Sequence, residues 1–561
     1  MAISKLNPIE GGIPKGNTSN RSTEFPSPEV GDVYYNGEIE ALEIYNGTVW
    51  KVSKTEGFPP DAPTISSVTD SSTSLAYSST AGTLDVVFVP ASTGGTVTQY
   101  NAYTTTGGHS SFTTVGNTVT ITGLTPGTAY TVYGNAQNGS GTSTNTENAA
   151  AVTPTTLPQS PTIGTTVLSS GLAVVNWTLG STGGKNISAI TITPYLNGAT
   201  AETSRTAATT SSTSYTFTSG QLSENASYTF KVKTTNANGQ SAESSASNSI
   251  TTPFGVQYLV VAGGGAGGGA AGGGGGGYRT NVGGNTFPVS PSTNYSITIG
   301  SGGTGQTSNA NGNNGTNSSF STISSTGGGG GGSYDGGGNS GVVTGNTGGS
   351  GGGGGWISGG SPTGAGIGNA GSYSPVEGYN GGLSGTGTLG SYTSGGGGGA
   401  GQVGGNATSS VSGKGGDGLQ NAILGTNYYW AGGGGGGSQS SGFVSGIGGK
   451  GGGGGGGHYG SSTNAASGDI GNALNNGGNG THGVGVSDGG SGGANTGGGG
   501  GGMGITVRTG GNGGSGIVVL KWLTSAGTIS IGAGLTADST VTSGSYSIKK
   551  ITSGSGNVSW S

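Results

Sequence analysis

Side chains able to do acid–base or metal chemistry are few in this sequence. It holds three histidines, His109, His458 and His482, and no cysteine. Five carboxylates, Asp335, Glu377, Asp417, Asp469 and Asp488, lie in its long glycine-rich stretch. Glycoside hydrolysis needs two carboxyl groups roughly 5–10 Å apart, and nothing in the spacing of these five pairs any two. The histidines show no metal-ligand spacing, and no Ser/His/Asp arrangement presents itself. Absence of cysteine removes disulfides and thiolate metal sites. Matches to G-x-G-x-x-G are plentiful, but at 40% local glycine chance alone supplies about 6% of positions, so they carry nothing without a βαβ context. Gly413-Lys414 and Gly449-Lys450 lack both the upstream glycine and the following Ser/Thr of a phosphate-binding loop. A calcium β-roll needs tandem nonapeptides, and only the Gly413–Leu419 stretch comes near. The expectation is no enzyme, no catalytic residue, no metal site and no cofactor.

What remains is binding, and the residues suited to it are aromatics set among glycines. The chain has 561 residues, of which 137 are Gly and only 7% are charged, against roughly 7% Gly and about 25% charge in ordinary proteins. Of these glycines, 26 fall in residues 1–254 and 105 in residues 255–516, where they make up 40%. That stretch contains seven runs of five or more: 272–277, 327–332, 351–355, 395–399, 432–437, 451–457 and 497–502. Tyr278 and Trp356 adjoin them, and Tyr334, Trp430 and Tyr459 stand one residue away. Collagen is excluded because the glycines are consecutive and only four prolines lie inside. A net charge of −5 without a basic patch argues against nucleic acid. No apolar run of about 18 residues exists, so no membrane insertion is expected. The opening Met1-Ala-Ile-Ser-Lys-Leu-Asn-Pro has no apolar h-region, and no signal peptide is expected from it.

The elements that must position these aromatics read as all-β. Residues 1–57 give three short strands, Asp32–Asn36, Ala41–Tyr45 and Thr48–Val52, with Asn46-Gly47 as a hairpin turn. The string from Asn20 to Trp50 resembles a module near the N-termini of bacteriophage fibre proteins, which implies attachment to other virion proteins. Pro59-Pro60 marks a junction. Residues 61–154 and 158–253 each show short alternating strands with turn signals, the pattern of a β-sandwich. Ile121-Thr-Gly-Leu-Thr-Pro-Gly-Thr-Ala-Tyr130 and Leu222-Ser-Glu-Asn-Ala-Ser-Tyr228 resemble the tyrosine-corner stretch of fibronectin type III domains, with Phe88 and Trp177 as core aromatics of an early strand. Pro-Gly of the first copy is Glu224-Asn225 in the second.

Residues 255–522 form the glycine-rich domain. Tyr258-Leu-Val-Val-Ala262 opens it and Ile517-Val-Val-Leu-Lys-Trp522 closes it, and these β-branched runs are expected to pair in one sheet. Between them the pure runs suit polyglycine II, a left-handed threefold helix without internal hydrogen bonds. Its N–H and C=O groups must bond to neighbours on several sides, and close packing leaves no room for a Cβ. Six residues would span about 19 Å. Residues 523–561 read as a small C-terminal β-cap.

The opening Tyr-Leu-Val-Val-Ala-Gly-Gly-Gly and closing Gly-Gly-Ser-Gly-Ile-Val-Val-Leu resemble the glycine-rich domains of phage host-recognition proteins, whose loops meet the host surface. The resemblance implies Trp356, Tyr373, Tyr379, Tyr392, Tyr428, Tyr429, Trp430, His458 and Tyr459 as receptor contacts, for a host-surface glycan or an outer-membrane protein. Packing of these rings into the rim of the domain is the alternative at each position. The resemblance also implies a virion location and a homotrimer, although the sequence has no heptads. Two other readings stay open: a capsid or tail appendage with a purely structural role, and a cellular surface adhesin.

Overall fold

The computed structural model describes residues 15–16, 18–30, 32–38, 41–45, 47–52, 58–307, 310–335, 343–357, 361–385, 392–460, 465–469, 471–504 and 508–561. The chain divides into two units, one of residues 1–221 and 227–250, the other of residues 222–226 and 251–561. Their strands pair almost wholly antiparallel, as the all-β expectation requires. Among the described residues no helix is long and apolar enough to cross a membrane.

In the first unit, strands Lys15–Gly16, Val33–Asn36, Ala41–Tyr45 and Trp50–Val52 form one sheet in that order. The last three are those read from the sequence; the first, and a helix over Thr18–Glu24, are additions. Asn46 of the expected turn lies outside the described residues, while Gly47 takes a positive φ of 99°. Phe25, Tyr34 and Trp50 pack edge-on with centroids 5.1–6.3 Å apart, which gives so small a sheet its core.

The first sandwich faces Thr64–Asp70, Gly82–Val89 and Thr118–Leu124 against Gln99–Thr104, Ser110–Thr113, Val132–Asn138 and Gly141–Thr142. Strict alternation along Gly82–Val89 buries Leu84, Val86 and Phe88, and Phe88 stacks on Tyr100 of the facing sheet at 5.2 Å. The tyrosine corner is formed: Thr125 N–H donates to the Tyr130 hydroxyl at 3.0 Å. The second sandwich buries Trp177 from the equivalent strand Leu172–Thr178. Its Tyr228 is fully buried, and the hydroxyl donates to Glu202 at 2.9 Å. With Pro-Gly replaced, the corner tyrosine here ties to a side chain 26 residues upstream.

The second unit is organised by one sheet. Phe254–Val261 pairs antiparallel with Ile517–Leu523, with Val256 opposite Trp522 and Val261 opposite Ile517, which is the expected stapling of the two ends. Residues 523–561 are not a separate cap. Their long strand Tyr546–Trp560 pairs with Ile517–Leu523 over its first half and with Tyr295–Thr298 over its second. Ile551, Val558 and Trp560 are buried with Phe254, Val260 and Trp522 in one core. Their apolar side chains need that core, so the segment completes the domain.

The glycine runs stack as polyglycine II rods. With three residues per turn, successive N–H groups leave a rod about 120° apart, so residues i and i+3 must bond to the same neighbour. The first run does this. Gly272 and Gly275 donate to Gly395 and Gly398, Gly273 and Gly276 to Gly500 and Gly497, and Gly274 and Gly277 to Gly329 and Thr326. Its carbonyls accept from Gly353 and Ser350, from Gly434, and from Gly265 and Ala262. Six different segments therefore surround 272–277 in a hexagonal array. The fifth run repeats the pattern: its N–H groups reach 451/454, 416/413 and 273/270, and its carbonyls accept from 499/502, 449/446 and 397.

Glycine is needed here for space, since no residue of 272–277 or 432–437 adopts a positive φ. A Cβ on Gly274 would collide with Ser350 O, and one on Gly435 with Gly446 O. Lateral hydrogen bonds at about 2.8–2.9 Å offset the large ordering entropy of glycine.

Candidate functional site

The bundle has two ends, defined by its central rod. Tyr278, which follows the rod, pairs with Val261 in the sheet. Ala270, which precedes it, packs at the opposite, distal end with Tyr334, Trp356 and Met503. The nine residues singled out from the sequence divide between these ends.

At the distal end, Trp356 lies between Tyr334 at 5.0 Å and Tyr392 at 4.4 Å between ring centroids. Trp356 is 7% exposed, whereas Tyr392 is half-buried. His458 and Tyr459 leave the sixth run beside Ser438, which itself ends the fifth. Ser438 Oγ lies 2.9 Å from His458 Nδ1 and 2.8 Å from Ser445 Oγ. His458 is fully buried and forms a parallel bridge with His482. Burial, and next the charge of His482, holds the His458 imidazole below its usual range. Tyr459 is half-buried, its N–H donating to Ser438 O at 3.0 Å.

At the sheet end, Tyr373 lies under the Arg279 guanidinium at 4.1 Å. Tyr379 is exposed, and its carbonyl accepts from Gly351 N–H. Tyr428–Trp430 pairs with Leu419–Asn421. Tyr428 and Tyr429 are half-buried, Lys450 Nζ standing 5.2 Å from the Tyr429 ring. Trp430 is fully buried with Leu259, Tyr278 and Val519. Burial pushes the Tyr278 hydroxyl up to about 12, with Asn421 donating to it at 2.8 Å. Trp356, Trp430 and His458 thus offer no open surface in this arrangement; their apolar or neutral bodies fill space that small neighbours leave. Tyr373, Tyr379, Tyr392, Tyr428, Tyr429 and Tyr459 keep exposed area.

The carboxylates are spent locally. Glu377 is fully buried and accepts from Thr326 N–H at 2.9 Å and Gly371 N–H at 3.2 Å. Asp469, 3% exposed, accepts from Gly451 and Gly452 N–H at 3.0 Å each. Asp417 pairs with Lys414 at 2.8 Å, and Asp488 accepts from Thr509 N–H at 2.8 Å. Glu377 and Asp469 act as extra carbonyls for rod N–H groups that lack a neighbouring rod. Among the described residues no three His, Cys, Asp or Glu side chains gather as a metal set.

Sequence reasoning missed the asparagines that finish the lattice. Asn311, Asn314 and Asn317, spaced by three, accept from Ser333, Gly330 and Gly327 N–H at 2.9–3.0 Å. Asn380, Asn406, Asn479 and Asn512 do the same for Gly368, Leu383, Gly468 and Gly305. The signal was present as Asn-x-x-Asn-x-x-Asn ending ten residues before a pure glycine run.

Fold and site together define a protein of fibronectin III-like sandwiches followed by a glycine-rich domain. Residues 242–487 match the family described as glycine-rich domain. Chitinase A1 of Niallia circulans is 31% identical over 209 residues, covering 36% of this chain and 27% of that protein. The chain therefore spans about a quarter of the length of that curated relative. Among solved structures, the FN1–FN3 domains of chicken CNTN1 align with a TM-score of 0.24 at 14% identity, covering 36% of this chain and 80% of that one.

Proposed function

We propose that the protein is a bacteriophage virion fibre subunit that attaches to the host-cell surface through the glycine-rich domain. In this reading the N-terminal module joins other virion proteins, the sandwiches act as spacers, and binding is non-covalent, with no catalytic step assigned. The observation that carries it is the hexagonal bundle. A core that spends its backbone polar groups on lateral hydrogen bonds is stiff, and it holds the partly exposed tyrosines at its ends in fixed positions. Partly exposed Tyr beside Asn, Ser and Thr suits stacking on sugar rings or docking to an outer-membrane protein. Many copies on one particle would add weak contacts through effective concentration. Burial of Trp356, Trp430 and His458 favours, for those three, the purely structural reading in which aromatics pack the rim.

The test uses the labelled full chain and cells of the host that produces the particles. Tyr392→Ser with Tyr459→Ser removes the open distal rings, and Tyr379→Ser with Tyr428→Ser removes those at the sheet end. Loss of cell binding in either pair, with unchanged thermal stability, supports attachment and identifies the end that binds. Wild-type chain that neither binds cells nor competes with particles for adsorption refutes it.

A further inference from the structure

Outer rods of the bundle differ from the interior runs in a regular way. They read Gly-Gly-x, and burial repeats with the same period of three. Along 411–418, Val411, Lys414 and Asp417 face outward while the glycines and Ser412 are buried; along 444–450, Val444, Ile447 and Lys450 do so. The third position therefore reports what each outer face presents. Around the bundle the outer segments hydrogen-bond in sequence. Gly381 N–H donates to Gly366 O, Ala407 to Leu383 O, Thr408 to Val411 O, Ser412 to Val444 O and Gly448 to Ser467 O. On the other side Gly478 donates to Ser491 O, Gly492 to Asn512 O, Gly513 to Gly303 O and Thr316 to Ser301 O.

Both arcs present asparagines, Asn380 and Asn406 on the first, but they differ in their apolar content. The second presents Asn314, Asn479, Ser491 and Asn512. The first presents Ile367, Leu383, Val403, Val411, Val444 and Ile447, each 38–62% exposed. Val411 and Val444 stand at one level on adjoining rods, and Leu383 stands at that level beyond the rod 403–408, as the bonds of Ala407, Thr408 and Ser412 require. Short aliphatic side chains contribute nothing to the lattice from an outward position along a rod, so their clustering on the rods of this arc needs another cause. Clustered exposed apolar residues of this kind mark contact surfaces.

We infer that this aliphatic face pairs with the same face of a second copy of the chain about a twofold axis, an interaction separate from host attachment. Two observations select that occupant. Lys414 and Asp417 are successive outward residues of one rod, 2.8 Å apart. A twofold with antiparallel rods sets Lys414 over Asp417 of the second copy and the reverse, which is the self-complementarity an isologous contact needs. The outward residues also recur about every 9.3 Å along each rod, and an identical face has ridges at that same spacing to interleave. Six aliphatic side chains cover a few hundred Å², short of the roughly 800 Å² per partner of a stable interface. Association is therefore weak in free solution, with Kd on the order of 10–100 µM.

The test is sedimentation equilibrium of the full chain up to about 300 µM. The wild-type chain is expected to form dimers. Val411→Asp with Val444→Asp should raise Kd at least ~10-fold, while Ser491→Asp on the polar arc leaves it unchanged. Lys414→Asp alone should weaken dimers, and Lys414→Asp combined with Asp417→Lys should restore them; that restoration also shows that the variants fold. A monomer at the highest concentration, a trimer, or a dimer indifferent to these four substitutions overturns the inference.

Discussion

Replacing Gly435 with alanine tests the lattice at one of its most crowded points. In an open loop Gly→Ala stabilises by about 0.4–1 kcal/mol, because the unfolded chain loses freedom. At Gly435 the added methyl would overlap Gly446 O of the adjoining rod, and the fifth run would have to move by about 1 Å. Overpacking of this kind costs about 1–3 kcal/mol. The displacement also strains the bonds from Gly435 N–H to Gly454 O at 2.9 Å, from Gly502 N–H to Gly435 O at 2.9 Å, and from Gly446 N–H to Gly436 O at 2.8 Å. At roughly 1 kcal/mol each when lost, the net destabilisation is about 3–5 kcal/mol. For a unit of this size, at about 2 °C per kcal/mol, Tm should fall by ~6–10 °C. The matched control is Gly284→Ala, where a Cβ meets nothing nearer than Asn281 O at 3.6 Å. Differential scanning calorimetry of the full chain reads both. Equal Tm values for the two variants would refute the claim that close rod packing, and not backbone freedom, demands glycine.

Other consequences follow from single contacts. Asn314→Leu leaves Gly330 N–H without its side-chain acceptor, so stability should drop by about 1–3 kcal/mol and amide exchange at Gly330 should accelerate; unchanged exchange would contradict the edge-finishing role. Tyr130→Phe removes the acceptor of Thr125 N–H and should cost about 1 kcal/mol in the first sandwich by denaturant titration. His458 is held below the usual imidazole range by burial first and His482 second. The unfolded chain then takes up the proton more readily, so this contribution to stability is complete above about pH 6.5 and is lost as pH falls through the folded value. Tm of the wild type should decline over that window more steeply than that of His458→Gln, and parallel profiles would count against it.

Much of this architecture was legible in residue order. Tyr258–Ala262 and Ile517–Trp522 are rich in β-branched residues, and Tyr258–Val261 pairs with Ile517–Leu520 as expected. Leu124-Thr-Pro-Gly-x-x-Tyr130 supplied the corner geometry. Seven pure runs announced rods too crowded for a Cβ. Less legible was how those rods pack, because sequence shows the repeat of three but not which neighbour each N–H meets. The Gly-Gly-x segments between the runs were not read as rods, because only the fold shows that their third residues face outward. Tyr546–Trp560 looked detached, since strand pairing with Ile517–Leu523 and Tyr295–Thr298 joins residues far apart in the chain. For the aromatics, a ring beside a glycine run is marked for a rod end, yet its burial depends on neighbours such as Tyr334 and Tyr392 that meet Trp356 only in three dimensions. Arg279 over Tyr373 is of the same kind.

Everything proposed for the glycine-rich domain depends on its runs being a hydrogen-bonded core. Residue-resolved amide hydrogen exchange on the full chain measures this directly. The account predicts that amides of 272–277 and 432–437, with all their N–H groups donated to neighbouring rods, exchange as slowly as those of the strand Ile517–Leu523. Exchange of these runs at the rate of an unstructured glycine linker would contradict it.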